Sequence, residues 1–557
     1  MNLQFELHHE TLGTRLVEPP ADWPQVGLEL RRNPQQQLSA HGVVQERLVV
    51  QQWGLRARSF LAQVLGSYGV DAIVHLRVLR SGAAGTEVLT HLEMDLHTLR
   101  LHDGITAACH AVTGGVQRTL MARYATPVDV ARTAMLAGTP LQHAAANAAQ
   151  QLVLNPVLPS ANMQPLQTQG YYLHDALNRA ALLLTDNTVA LHSRYLGRAS
   201  AAPHATDGGP AADAMLLCGL QARGWAQAPV YVSLQQVLHD AGCVFGLGYG
   251  VEQTGGTLAL RVEPIRYFYD EATEAAAFFA ADAVAAQLQL APNPDLQFNQ
   301  LVAGYEPVAV ANGQDEFNTG RTYRLAGASG IGAQAAGALN IRSVLVAAGR
   351  VLDAMRVLGT TADSSVHDDA LFLVRTVAGA GGIRQLAQGV QNAGGLQDAA
   401  TATGWSLSPW ASAVRWWQWW GSAFADGGIA TVASASGNSA ASGGLPHVSA
   451  ELRPGLHYAE PTALHTEQDA LQNLGAYRNE NGHGYLQPFL QPTVLRGQSP
   501  CTWQQYQALR ANPYGVVRVQ VGSGIDNAVQ TYRGFVRSLR FMPVAGLAQW
   551  ELALARS

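Results

Sequence analysis

Apolar and polar residues alternate along much of this chain, and elsewhere the apolar ones recur every three or four positions. Leu3, Phe5 and Leu7 alternate with polar neighbours, and Val26, Leu28 and Leu30 repeat the pattern, which is the period of half-buried strands. Pro19, Pro20 and Pro24 separate the two in a loop that a central strand would not tolerate. Trp23, between those prolines, anchors the loop on a core or offers a ring for a ligand to stack on. Ser59 to Tyr68 has helical spacing and stops at Gly69. Ile73, His75, Arg77 and Leu79, then Leu89 to Leu101, return to the strand period. Val232 to Gly242 is an amphipathic helix with Leu234, Val237 and Leu238 inward.

The most informative block runs from Phe298 to Val377 and reads strand, strand, helix, strand. Leu296, Phe298, Gln300 and Val302 share one face of a strand that Tyr305, Glu306 and Pro307 close. Phe317 and Tyr323 flank the turn-prone Asn318, Thr319 and Gly320, so a second strand begins at Arg321. Ile341, Leu345, Ala348, Leu352 and Met355 share a helical stripe that ends near Gly359. Leu371, Phe372, Leu373 and Val374 form the continuous apolar run of a strand covered on both faces. Asp368 and Asp369 before it are its solvated start, with a metal or catalytic role as the alternative.

Elsewhere the pattern is weaker. Pro127 to Pro159 is an alanine- and glutamine-rich connector with helical tendency, and Tyr171 to Leu196 belongs to a second sheet-containing unit. Residues 204–213 and 427–446 are loops by composition. From Pro488 on, a short helix in TWQQYQALRANPYG precedes strands around Val516 and Tyr532, and Trp550, Leu552 and Leu554 alternate into the last strand. The resulting division is 1–125 (β-rich), 126–220 (mixed, with connector), 221–380 (central α+β), 381–487 (Trp-rich helix and loops) and 488–557 (strand-rich).

Two clusters invite a chemical reading. His91, Glu93, Asp95 and His97 share one face of a strand, as metal ligands can, while Leu92, Met94, Leu96 and Thr98 supply the opposite face. A solvated outer face is the default for such a strand. The second cluster follows Ser408 and Pro409, an N-cap and first helical residue: Trp410, Trp416, Trp417, Trp419 and Trp420 crowd two turns. A helix with Trp on all sides is buried on several of them, in the core of its own chain, in a subunit interface, or against a glycan or membrane surface. These five are the candidate interface residues.

Composition narrows the classes. Only 13% of the 557 residues are charged, against roughly 25% in an average soluble domain. Surface buried in an assembly and an alanine-rich coding bias both account for that. The basic residues are all arginine, the net charge is −5, and no basic patch marks nucleic-acid binding. Cys109, Cys218, Cys243 and Cys501 lie far apart without CxxC spacing, so neither a disulfide framework nor a zinc site is expected, and a reduced cytoplasmic site of assembly is. MNLQFELHHE lacks the regions of a signal peptide, and no run approaches the roughly 20 apolar residues of a membrane span. HExxH, GxSxG and Walker signatures are absent, and GCVFGLGYG at 242–250 lacks the rest of a phosphate-binding loop. No catalytic residue, metal or cofactor is assigned, and the chain is not expected to be an enzyme.

Several short strings, in order, resemble a family of large tail proteins of tailed phages and prophages of Bacteroidetes-type bacteria. They are HHETLGTRLVEPPADWPQVGLELRRNPQ with HGVV near the start, and RVEPIRYFYD, NQLVAGYEP, DEFNTGRTYRL and DDALFLVRTV in the middle. ANPYGVVRVQ and YRGFVRSLRFMPVAGLAQWELAL follow near the end. The resemblance implies an α+β, mainly β fold, with several β-rich, barrel-like domains, helical insertions and some domains discontinuous in sequence. It also implies a virion structural protein of the tail, at the baseplate or tail-tip hub. Its partners would be copies of itself, with a trimer favoured, and neighbouring tail proteins. A peripheral adhesion module for a cell-surface glycan is the alternative, and a peptidoglycan-degrading tail enzyme a more distant one.

Overall fold

The computed structural model describes most of residues 2–386 and 489–556, with interruptions, together with Leu407, Ser412, Arg415, Trp416, Trp419 and the strand Val448–Glu451. Trp23, Val26, Phe317, Ala348 and the loop at 427–446 lie outside the described residues. The fold is α+β and mainly β. Contacts divide it into two units built from separated stretches: residues 1–121, 269–292 and 493–557 form unit 1, and residues 122–268 and 293–492 form unit 2.

Unit 1 is organised on a single thirteen-stranded sheet. Its pivot is the long strand Val529–Met542, which pairs with three others. Gly515–Gly522 takes its first half, from Gly522 opposite Val529 to Val517 opposite Gly534. Leu28–Arg32 takes its second half, with Leu28 opposite Phe541 and Arg31 opposite Ser538. Leu547–Ala555 runs along the other edge, and the register slips between Val536 and Ser538, where the first edge changes partners. From Leu28–Arg32 the sheet continues through Val44–Leu48, Thr106–Val112, Gly85–His102 and His75–Gly82 to Asn2–His9 and Gly13–Val17.

Alternation puts Phe5, Leu7, Leu28, Leu30, Leu539, Phe541 and Trp550 on one face, all buried in one core. The helix Leu55–Tyr68 adds Ala57, Phe60, Leu61 and Val64 at helical spacing and ends at Gly69, whose φ of +84° suits only glycine. The helix Trp503–Ala511 opens on a capping box: the Thr502 hydroxyl accepts the Gln505 N–H, and the Gln505 side chain accepts the Thr502 N–H at 2.8 Å.

Unit 2 spreads over six smaller sheets among the described residues. One is a closed barrel of Ala149–Leu154, Leu166–Tyr172, Ala214–Cys218, Leu371–Ala378 and Arg384–Leu386, shut by a parallel pairing of Leu152 with Arg384. Its core residues Leu152, Leu154, Met215, Leu217, Phe372 and Val374 share a cluster with Val351, Leu352 and Met355 of the helix Gly349–Leu358.

Two local expectations are corrected here. Ala149–Leu154 is a strand and not part of a helical connector, because Leu152 and Leu154 alternate into the barrel core and tertiary burial outweighs the propensity of Ala and Gln. Ile341 belongs to the strand Gly337–Ser343, parallel to Phe298–Tyr305, and the helix starts only at Gly349. Leu339, Ile341 and Ser343 are buried at a period of two, which coincides over a few residues with helical spacing.

Candidate functional site

The tryptophan segment is explained first by its own chain. The helix Leu234–Phe245 begins at Ser233, whose hydroxyl accepts the Gln236 N–H, and ends at Gly246 with φ +66°. The Gly246 N–H closes on the Gly242 carbonyl at 2.8 Å, and the carbonyls after it have no partner within the helix. Trp416 Nε1 donates to the carbonyls of Gly242 at 3.0 Å and Cys243 at 3.2 Å, while Arg415 and Ser412 donate to that of Val244 at 2.9 and 3.3 Å. A guanidinium at a helix C-terminus also meets the favourable end of the dipole. Trp416 is fully buried in this role, its indole held by carbonyls of its own chain. Trp419 is half-buried, its ring 6.2 Å from that of Phe489. Trp410, Trp417 and Trp420 lie outside the described residues.

The His and acid strand is not uniformly solvated. His91 and His97 are exposed, but Glu93 is buried, 3.5 Å from Arg118 and 3.9 Å from His75 Nδ1. Asp368 is likewise no bare strand start. Both its oxygens accept from Arg223 Nη1, at 2.8 and 2.9 Å, and the Ser365 N–H reaches it at 2.8 Å. The ion pair fixes the loop before Leu371–Ala378 against Gly219, where an added Cβ would overlap the His367 carbonyl. Among the described residues, no group of three or more His, Cys, Asp or Glu is placed to hold a metal ion.

Several buried or half-buried ionisable groups find partners inside their own unit. In unit 1, Glu46 accepts from Tyr506 at 2.8 Å and Thr90 at 3.2 Å and pairs with Arg510 at 3.1 Å, so its charge is met from three directions. Arg32 donates to the His41 carbonyl at 2.8 Å and lies 3.8 Å from the centre of the Tyr269 ring. Burial, and then the Arg32 guanidinium, hold the His41 imidazole down to about 3. In unit 2, Asp240 is fully buried and accepts the Val344 N–H at 3.0 Å. Burial pushes its carboxyl up to about 6. These are packing devices, and none faces a cleft with a second reacting group.

What the geometry leaves unmatched is the rim of the unit 1 sheet. Among the described residues, three strands have a neighbour on one side only: Gly13–Val17, Asp270–Ala280 and Gln289–Pro292. Each carries a large apolar side chain more than half exposed: Leu16 at 53%, Phe279 at 56% and Leu290 at 56%. Soluble proteins defend such edges with short strands, charges, proline or bulges. Gln289–Pro292 is short and ends in proline, and Asp270–Ala280 has two register shifts in its first half. The Gln505 amide covers one edge carbonyl, that of Ala277, at 2.8 Å, yet Phe279 remains outward. Sequence reasoning missed this rim, because alternation identifies a strand without saying whether both its sides are paired.

No protein-family model and no curated protein matches this chain. Among the solved structures similar to it are three tail proteins. One is the prophage tail protein gp18 from Listeria monocytogenes EGD-e, 5% identical over 100% of this chain and 94% of that one, with a TM-score of 0.32. Another is the tail protein from Neisseria meningitidis MC58, 8% identical over 100% and 97%, with a TM-score of 0.35. The third is the 43 kDa tail protein of prophage MuSo2 from Shewanella oneidensis, 8% identical over 99% and 97%, with a TM-score of 0.30. At scores of this size the three do not define the site of this chain.

Proposed function

We propose that this chain is a structural subunit of the tail of a phage or phage-like particle, working at the distal end as a baseplate or tail-tip hub. In that role it assembles with copies of itself, with a trimer favoured, into a ring on the tail axis, and it meets neighbouring tail proteins. The strings quoted above motivate the family. The observation that carries an assembly role is the rim of unit 1, where three one-sided strands each present an exposed apolar side chain. Covering such strands completes backbone hydrogen bonds and removes apolar surface from water together. Obligate interfaces of this kind bury roughly 2,000 Å² or more.

Trp410, Trp417, Trp419 and Trp420 remain proposed interface residues on the same reading. The work done is mechanical, and no bond of a substrate is broken. Light scattering on the purified chain, followed by low-resolution imaging, tests the proposal. The expected result is a closed ring, and Leu16→Arg with Phe279→Arg returns it to soluble monomers. A lone monomer at micromolar concentration overturns it, and binding of that monomer on a glycan array would establish the peripheral adhesion module instead.

A further inference from the structure

The face of the unit 1 sheet that turns away from its core carries a cleft of about 330 Å³ that none of the roles above uses. Alternation places it there: Leu28, Leu30, Leu539 and Phe541 belong to the core, so Glu29, Ser538 and Arg540 stand on the other face. In the register, Arg47, Glu29, Arg540 and Gln549 form one row across four neighbouring strands. Arg31, Ser538 and Glu551 form the next row, and Arg496 of the strand Leu490–Pro500 reaches Glu551 from beyond it. Ser538 is the small member of these rows, and it lines the hollow together with the long side chains of Arg496 and Arg540.

Glu29 and Glu551 also line the cleft, but both carboxylates are already matched twice. Glu29 meets Arg47 Nε at 2.6 Å and Arg31 Nε at 3.6 Å, and Glu551 meets Arg496 Nε at 2.8 Å and Arg537 Nη1 at 3.2 Å. With Arg540, five guanidinium groups stand around two carboxylates among the described residues. An excess of that sign in a cleft concentrates anions and repels cations. Donors are available as well as charge. Arg496 holds Glu551 through Nε, and among the described residues its two Nη groups hydrogen-bond to nothing. The same is true of the side chains of Gln498, Ser538 and Gln549. Arg540 is fixed by its stem, which lies over Gly27: a Cβ added there would stand 2.4 Å from Arg540 Cγ. Arg496 and Arg540 sit two strands apart, about 10 Å at the backbone, so their long side chains can converge on one group between them. A guanidinium fork fits the oxygens of a phosphate. The volume falls at the low end of small-molecule sites, which leaves room for a small body behind such a group.

We propose that this cleft is a phosphate-binding site: Arg496 and Arg540 take the phosphate group from two sides, and Gln498, Ser538 and Gln549 meet its remaining oxygens or the body that carries it. The site is independent of the assembly reading, because none of the three rim strands lines it. Calorimetric titration of the full chain with inorganic phosphate and with glycerol 3-phosphate, in low salt at pH 7.5 with glycerol as the neutral control, tests this. At least one phosphate should bind at one site per chain with a Kd of about 1 mM or below, and glycerol should not bind. Tighter binding of the ester marks an organic phosphate as the occupant, and equal or tighter binding of the ion marks free phosphate. Arg540→Gln and Arg496→Gln should each weaken binding at least about tenfold, the loss of a charge-assisted contact. Arg56→Gln, which removes the same charge from the exposed side of the helix Leu55–Tyr68, should weaken it less than about twofold. Ser538→Leu fills the hollow with every charge left in place and should abolish binding. No binding of either phosphate at about 10 mM overturns the proposal. So does a loss in Arg56→Gln equal to that in Arg540→Gln, which would be diffuse attraction to the whole surface, or undiminished binding in Ser538→Leu.

Discussion

Units 1 and 2 each bury a titratable group, and acid acts on the two in opposite senses. Unit 1 hides a base: the buried His41 lies beside the half-buried Arg32 and is held down to about 3. Its folded value is below the roughly 6.5 of a free imidazole, so the stability of the neutral form is complete above about pH 6.5 and is lost as pH falls towards 3. Unit 2 hides an acid: Asp240 is pushed up to about 6, above the roughly 3.9 of a free carboxyl, so its cost is present above pH 6 and is relieved as pH falls towards 4. Burial lowers His239 and His192 of unit 2 as well, and these oppose Asp240. Acid therefore acts in one direction on His41 and in two on unit 2. Architecture differs alongside: unit 1 is an open sheet with a rim, whereas unit 2 closes one of its sheets into a barrel.

The largest change that breaks the comparison is Trp416→Ala. It empties a fully buried site and uncaps the helix Leu234–Phe245, so it should cost unit 2 about 3–5 kcal/mol, seen as a lower urea midpoint for its amides with those of unit 1 unmoved. Glu46→Ala should cost unit 1 about 3 kcal/mol, because it leaves Arg510 and the Tyr506 hydroxyl without their carboxylate. Glu46→Gln should cost less. Moving from pH 7.5 to 5.0 should remove about 2 kcal/mol from unit 1 through His41 alone, measured as denaturant midpoints of amides in Val529–Met542. Asp240→Asn keeps an acceptor for the Val344 N–H and should stabilise unit 2 by about 1–2 kcal/mol at pH 7.5 but hardly at all at pH 4, and equal effects at both would sink that assignment. Smallest is Arg496→Ala, which removes an exposed pair with Glu551 and should change unit 1 by under about 1 kcal/mol.

Much of the element structure was legible in the residues because their period is a direct record of burial. Leu3, Phe5 and Leu7, the helix ending at Gly69, the helix with Leu234, Val237 and Leu238 inward, and the buried run Leu371 to Val374 all stand where the spacing puts them. Failures came where two periods coincide, as at Ile341, or where composition favoured a helix that the barrel overrode, as at Leu152 and Leu154. The candidate site was much less legible. Trp416 signals burial by its size, but the helix carbonyls it meets are 173 and 174 residues away in sequence. Glu46 shows the same limit: nothing near it announces Tyr506, 460 positions later. Partners at such separations are set by topology, which local pattern does not encode.

The strand Val529–Met542 has a consequence for how the chain is made. Leu28 and Leu30 pair early with Leu48 and Glu46, but find their neighbours on the other side, Phe541 and Leu539, only once a strand far later in the chain has been made. Long-range pairing of this sort is slow and leaves apolar strands uncovered meanwhile. Unit 1 is thus a clasp that Val529–Met542 fastens, and a nascent chain stopped before that strand would hold the earlier part of the sheet without the piece that joins it.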